Sequence, residues 1–428
     1  MLNLLAFVGV ITFDGFFLGR IGTNALAGAS LAFPWVMLVL QATNSGMGAG
    51  VSSAIARALG AGQKDRADAL VFHAFLLAIA LSALFSTAML LGGPYIFRAM
   101  GAREEMLADA LAYSNVALGG AVCICVMNLL ANAVRGTGNM SLPAYLLAGC
   151  VILHIAISPA LIFGWGPIPA LGPAGAGLGL VIPFALGALV IIAHLRSPAA
   201  VRLNFRGIAP RWELFADILK VGVPGLVNTA ITNLSVVLLT GIAGQFGAQA
   251  AVAYAMGARL EYIMQPVAFG FGTAIVTMVG TNWGAKQYRR AQRIAWTGAL
   301  TIAAVCGVIG CVAALAPGLW LGMFSADPAV ARLGALYLHI VGPSYVCFGL
   351  GLGLFFVSQG LGRGFAAMCV NAARLLASAA GALAAIYWLG AGMTGMFAAI
   401  SLGFVLYAVL LVYRVLHIPG PEAPPDAP

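Results

Sequence analysis

Apolar residues in this chain fall into long runs rather than into alternation with polar ones. Twelve runs, at 1–18, 25–58, 68–92, 107–134, 142–163, 173–195, 214–245, 250–282, 291–315, 329–358, 365–388 and 392–413, are separated by Gly, Pro and charged clusters. A helix needs about 20 mostly apolar residues to cross a bilayer. Strands of a membrane barrel would alternate apolar and polar side chains, which these runs do not do. A helix satisfies its own backbone N–H and C=O groups, so the pattern predicts twelve transmembrane helices. Several runs exceed one straight crossing, and they are predicted to protrude or to bend where Pro34, Pro266 or Pro343 removes a backbone hydrogen bond.

The pattern also repeats. LGAGQKDRA at 59–67 returns as WGAKQYRRA at 283–291, 224 residues later. Gly22–Ala27 pairs with Gly247–Val252 at 225, Pro94 with Pro317 at 223, Tyr113 with Tyr337 at 224, and Arg135–Gly138 with Gln359–Gly362 at 224. One offset held across distant places predicts a duplication, with Thr23 equivalent to Ala248 and Arg135 to Gln359. Each half carries six spans, an even number, so both enter the membrane in the same direction as parallel repeats. The expected organisation is an N-terminal six-helix lobe at 1–195, a cytoplasmic linker at 196–213, a C-terminal six-helix lobe at 214–413 and a cytoplasmic tail at 414–428.

Composition removes a soluble alternative: 62% of the 428 residues are hydrophobic, 8% are charged, and the mean hydropathy is +1.01. Charge then supplies an orientation. With the amino terminus inside, fifteen Lys and Arg fall in cytoplasmic loops and four, Arg20, Arg98, Arg103 and Arg332, fall outside. This bias predicts both termini cytoplasmic and accounts for the net charge of +9 without nucleic acid. The seven cysteines sit inside apolar runs in odd number and read as reduced packing residues. Residues 1–10 carry no basic start and no cleavage site, so they read as a first span and not as a signal peptide.

Several chemistries lack their residues. There is no phosphate-binding loop of the Gly-x-x-x-x-Gly-Lys type, so ATP is not the direct energy source. Gly360–Gly364 is glycine-spaced but lies between two predicted helices and reads as a tight loop. His73, His194, His339 and His417 have no ligand spacing with Cys or acids. A membrane prenyltransferase would need paired Asp-rich motifs for magnesium and diphosphate, and none is present. The chain therefore reads as a transporter and not an enzyme, with no cofactor and no bound metal.

FDGFFLGRIGTNALAGAS at 13–30 resembles the first-helix end and second-helix start of multidrug and toxic compound extrusion (MATE) exporters, and ARALGAG at 56–62 the loop that follows. YAMGARLE at 254–261 and GTNWGA at 280–285 are similar to the matching second-half elements, and FGWGPIP at 163–169 to the loop between helices five and six. The likeness covers essentially the whole chain and is greatest to the branch named for the DNA-damage-inducible protein F. It implies export of organic cations and other amphipathic compounds in exchange for protons or sodium, from a bacterial inner membrane. Helix one of that family starts after a cytoplasmic tail. Here thirteen uncharged residues precede Asp14, and the expectation is that helix one is truncated.

Acids inside spans are the first place to look for coupling, since an ionised carboxylate at the bilayer centre costs about 2.5–3.5 kcal/mol on insertion scales. Only Asp14 and Glu261 lie well within spans. Asp14 precedes Arg20 by six residues, roughly 9 Å at 1.5 Å per residue, and coincides with the family's first-helix acid. His154 and Ser158 are four apart on one face of helix five, beside Pro159. The resemblance places Asn and Asp at those two positions, Thr at Leu180, and an acid at Thr232 in other branches. This depletion of hard oxygen ligands disfavours sodium. Asp14, His154 and Ser158 are thus the candidate cation-coupling residues. Asn128 and Asn132, Gln41 and Asn44, and Glu261 are candidates for a substrate cavity, with helix joining as the alternative for the amides and a structural role for Glu261. Arg259 and Glu261, two apart, should each find a partner elsewhere.

The expected function is a secondary active antiporter exporting amphipathic or cationic organic compounds for protons, in preference to sodium, by alternating access, acting as a monomer in the lipid bilayer. Two alternatives stay open. A flippase for lipid-linked oligosaccharides would want a cationic cavity, whereas only Arg259 and Arg374 lie within spans; an inactive membrane scaffold is the other.

Overall fold

The structure, a computed structural model, describes residues 14–166, 169–197, 200–204, 209–324 and 327–417. Its architecture is all helical. Helix α1 covers 14–21. It is followed by α2 (Thr23–Gly60), α3 (Lys64–Ala99), α4 (Glu104–Gly119 and Ala121–Gly136), α5 (Ser141–Phe163) and α6 (Pro173–Arg196). The second half holds α7 (Trp212–Gly244), α8 (Ala248–Gly284), α9 (Tyr288–Leu315), α10 (Pro328–Gly360), α11 (Gly364–Tyr387) and α12 (Gly392–Leu416), with a short helix Pro317–Leu321 before α10. Ten of these are long and apolar enough to cross a membrane, and the bent pair in α4 makes an eleventh. The remainder of the first predicted span, and with it the expected truncation of helix one, lies outside the described residues.

The predicted bends are only partly where proline sits. Pro34 and Pro266 lie inside helix, while α2 is interrupted further on by a π-helical turn at Ala42–Gly46. In α4 the axis turns by 42° at Gly120, a break that the apolar run does not mark. A side chain at Gly120 would collide with Val181 of α6, so close approach of α6 requires glycine there. Pro343 does coincide with a change of helix type, the 3-10 turn Gly342–Ser344 inside α10.

The repeat is visible in the contacts themselves. Helices α3 and α9 begin at Lys64 and Tyr288, and α4 and α10 end at Gly136 and Gly360, each pair 224 apart. A Cβ on Gly136 would stand 2.9 Å from the Ser52 carbonyl oxygen, and one on Gly360 2.9 Å from that of Val276. Ser52 and Val276 are also 224 apart, so the α2–α4 crossing and the α8–α10 crossing are one packing motif used twice. Gly62 and Lys286, at the same offset, both take left-handed backbone, with φ of +73° and +59°.

Two compact units divide between Gly222 and Val223, inside α7. In the first, Leu70, Val71, Ile124, Leu129, Ile191 and Leu195 are fully buried. In the second, Tyr337, Leu338, Tyr345, Leu354 and Phe397 are. Large apolar residues such as Leu84, Leu91, Leu189 and Val237 are more than 60% exposed, as helices solvated by acyl chains require. All seven cysteines are free.

The described part of the linker belongs to the first unit. Val201 and Leu203 are buried, Leu203 N–H donates to the Leu195 carbonyl at 2.9 Å, and Arg202 N–H donates to Asp68 Oδ1 at 2.7 Å. The first turns of α7 are tied to the same unit: Arg57 pairs with Asp217 at 2.6 Å, Arg66 reaches the other oxygen of Asp217 at 3.3 Å, and Arg211 N–H donates to His73 Nε2 at 2.8 Å.

Candidate functional site in the first unit

Asp14 opens the described part of α1, and α5 brings His154 and Ser158 to it. Their i,i+4 spacing puts both on one face of α5, and both reach the same atom. His154 Nε2 lies 3.0 Å from Asp14 Oδ1, and the Ser158 hydroxyl donates to that oxygen at 3.0 Å. All three are buried, at 8%, 2% and 1% exposure, so this is a polar cluster inside a membrane helix bundle. An edge contact between Phe17 and Phe163, centroids 6.1 Å apart, packs α1 on α5 beside it.

The back wall is glycine. A Cβ at Gly179 of α6 would stand 3.1 Å from Ser158 Cβ and Oγ, so the absence of a side chain there lets α6 lie against the Ser158 face. His154 Nδ1 is buried and makes no hydrogen bond among the described residues. The imidazole thus presents one nitrogen to a carboxylate and turns the other, buried, toward the backbone of Gly179. An imidazolium in this position would donate Nε2–H to ionised Asp14, and a neutral ring has a choice of tautomer. The cluster can therefore hold a proton on either member. For a hard cation it offers two oxygen-bearing side chains and one imidazole.

The amides read as cavity residues are brought together elsewhere. In the irregular turn of α2, Thr43 and Asn44 face α4. Asn128 Nδ2 donates to Thr43 Oγ1 at 3.0 Å, and Asn132 Nδ2 to the Asn128 carbonyl at 2.9 Å. Arg135 donates to Asn44 Oδ1 at 2.9 Å and to Asn132 Oδ1 at 3.2 Å. A side chain at Gly48 would overlap the Asn132 amide. The hydrogen bonds of Asn44, Asn128 and Asn132 thus run between helices or along them, whereas Gln41 is exposed.

Glu261 belongs to the second unit and joins none of these. Its Oε1 accepts from the Tyr337 hydroxyl at 2.8 Å, and the Tyr345 hydroxyl follows at 3.4 Å. Beside it, buried Arg374 donates to Asn371 Oδ1 at 2.8 Å and to Ser235 Oγ at 3.1 Å, with Phe404 and Tyr407 rings 5.5 and 5.9 Å from its guanidinium. Asn371 in turn donates to Asn228 Oδ1 at 2.8 Å. Arg259 lies over Phe324 at 5.3 Å, so Arg259 and Glu261 do find separate partners.

A sequence profile of the MatE family matches residues 1–160 and 224–384, three quarters of the chain and both repeats. The chain belongs to the MatE family. MATE proteins are transporters, and this MATE chain is accordingly not an enzyme. Among MATE relatives it is 25% identical over 384 residues to an FAD transporter of Shewanella oneidensis, covering 88% of this chain and 83% of that one. It is 25% identical over 331 residues to the probable multidrug resistance protein NorM of Thermotoga maritima, covering 77% and 71%. A solved structure of MATE in the bent conformation superposes with a TM-score of 0.89 over 98% of this chain and 93% of that one at 22% identity, which establishes the shared fold.

The sequence marks Glu261 as an acid within a span but does not mark its partner. Tyr337 was visible only as the repeat equivalent of Tyr113, and nothing in its neighbours announces an acid 76 residues away. Arg374 stands out as a cation within a span; its ladder to Asn371 and Asn228 joins α11 to α7 and has no local signature.

Proposed function

We propose that this MATE protein is a proton-coupled antiporter that exports amphipathic or cationic organic compounds by alternating access, with Asp14 as the proton carrier, His154 as its titratable partner and Ser158 as the group that orients the carboxylate. The observation that carries the reading is the convergence of His154 Nε2 and Ser158 Oγ on Asp14 Oδ1, each at 3.0 Å. With Nε2 protonated, two donors would stabilise the ionised carboxylate in this buried site; a proton arriving on Asp14 removes the charge and with it the reason for the short contacts. Proton uptake then favours a different seating of α1 on α5, and substrate binding favours the other. An imidazole can both take up and release a proton, which is the chemistry a proton-coupled carboxylate needs beside it.

The donor set supports protons over sodium, because an imidazole stands where an oxygen ligand would serve a hard cation. The names of multidrug relatives support an organic, amphipathic substrate. Loop charge supports cytoplasmic termini in a bacterial inner membrane, and the pairing of Asp14 with α5 in this unit is compatible with a monomer of the branch named for the DNA-damage-inducible protein F. Of the remaining candidates we assign Gln41 to the substrate path and Asn44, Asn128 and Asn132 to the joint between α2 and α4. Glu261 is held as a structural acceptor for Tyr337.

The test is dye efflux from proteoliposomes under a pH gradient alone and a sodium gradient alone. Efflux under the pH gradient that is lost in Asp14→Asn supports the reading. Efflux driven by sodium at fixed pH and unaffected by that substitution would overturn it.

A further inference from the structure

The two copies of the loop that follows the α2-type helix differ in how their charge is handled. In the first repeat, Lys64 and Arg66 share their turn with Asp65, and Arg66 is paired with Asp217 at 3.3 Å. In the second, Arg289 and Arg290 stand where Asp65 and Arg66 do and Lys286 where Gly62 does, with Arg293 one turn on, and the first turn of α9 has no acid. None of these four forms an ion pair among the described residues. Lys286, Arg289, Arg290 and Arg293 are all exposed. Lys286, Gln287, Tyr288, Arg289 and Arg290 together form a shallow, open depression on the surface.

Like charges so close repel one another, and in the first loop Asp65 in the same turn and Asp217 of α7 offset this. The second loop has no such carboxylate among the described residues, so an anion from outside the chain can meet its charges. Its surroundings say what kind. Trp283 and Tyr288 stack edge to face at 4.9 Å beside the cations, the amphipathic aromatic pair typical of a membrane interface. Below them the helices present apolar side chains outward: Met278 of α8 is 49% exposed and Leu300 of α9 is 55% exposed. An exposed cationic turn with an aromatic pair beside it, on helices that present apolar side chains outward, is complementary to a phosphate headgroup that carries its own acyl chains.

We propose that the α8–α9 loop is a binding surface for the headgroup of an anionic phospholipid, held by Lys286, Arg289 and Arg290, and that the equivalent loop of the first repeat is not. Basic residues at a membrane surface each strengthen binding of anionic lipid by about fivefold, so the three together set an effect on the order of a hundredfold. The attraction is between exposed charges and weakens as ionic strength rises.

The test uses the full-length purified protein in mild detergent, with dioleoyl-phosphatidylglycerol and dioleoyl-phosphatidylcholine as probes. Lipid retention is read by native mass spectrometry and thermal protection by unfolding curves. Wild type is expected to retain phosphatidylglycerol over phosphatidylcholine and to be protected by it, and the triple variant K286Q/R289Q/R290Q to lose that preference. The charge-matched variant K220Q/R363Q/R414Q, at exposed cations elsewhere, is expected to keep it. A single R290Q variant, with a smaller loss of its own, guards against misfolding of the triple. Equal retention by the triple variant and wild type would overturn the proposal, and so would equal protection of wild type by millimolar inorganic phosphate, which would make the site one for a free anion.

Discussion

The backbone N–H of Arg211 donates to His73 Nε2 at 2.8 Å, so a fully buried side chain of α3 holds the residue that precedes α7. The ring is fixed on both sides: Nδ1 faces the Ala69 carbonyl at 2.7 Å, and Phe215 of α7 packs against it with centroids 4.7 Å apart. With Arg57–Asp217 and Asp68–Arg202 this makes a clasp that keeps the linker and the start of α7 on the first unit. His73→Phe keeps the ring and loses the acceptor, and it should lower stability by about 1 kcal/mol, the net worth of a typical hydrogen bond. His73→Ala loses the packing as well and should cost more. Thermal unfolding of the two variants in detergent checks the order; equal melting temperatures would show that His73 bears no load.

Asp14→Asn should leave the fold nearly intact, since the amide keeps the shape and can still accept from Ser158. It should bring gradient-driven efflux to the background of empty liposomes, because the amide does not titrate. His154→Asn restores an amide at that position and should keep part of the activity while flattening its dependence on pH between 5.5 and 8. Initial efflux rates over that range decide it. A variant at His154 with the wild-type profile would remove the imidazole from the mechanism.

Gly179→Ala places a methyl group 3.1 Å from Ser158 Cβ and Oγ. Either α6 retreats or Ser158 turns away from Asp14, at a cost of about 1–3 kcal/mol. Efflux should fall while the protein still purifies as a folded species. Ser158→Ala, which removes the donor without adding volume, should show a milder loss of transport, and comparing the two separates packing from hydrogen bonding.

Tyr337→Phe removes the hydroxyl that Glu261 accepts from and leaves a buried carboxylate with one donor fewer. Hydrogen bonds within membrane proteins average about 0.6 kcal/mol, reaching about 1.7, and the loss should lie in that range. Glu261→Gln preserves an acceptor for Tyr337 and should be better tolerated than Glu261→Leu. Unfolding curves rank the three, and transport assays show whether Glu261 has a role beyond stability: a Glu261→Gln variant that folds but no longer couples efflux to the pH gradient would contradict the structural assignment made here.

Replacing Arg135 by Met should loosen the α2–α4 joint, since Asn44 and Asn132 both accept from its guanidinium. Gly48→Ala should do the same by overlap with the Asn132 amide. Both are expected to reduce thermal stability without altering which ion drives efflux, a pairing of results that distinguishes a joint from a substrate contact.

Spans, repeat and family were legible in the residues alone because each is recorded locally or at a fixed offset. Hydropathy is a property of a window, the 224-residue displacement survives in single loops, and an acid inside a span stands out without reference to any neighbour. Helical spacing also put His154 with Ser158 and Asn128 with Asn132 on common faces. What spacing does not say is which helix a face meets. Asp14 and His154 are 140 residues apart, and only the packing of α1 on α5 joins them, while equally plausible amides on α2 and α4 turn out to bond to one another and to Arg135. The need for glycine at 120 is hidden for the same reason: Val181 of a different helix leaves no room for a side chain there. The sequence determined the helices and their count; tertiary packing decided which buried polar groups find partners, because in a membrane interior each must satisfy its hydrogen bonds on whatever helix comes within reach.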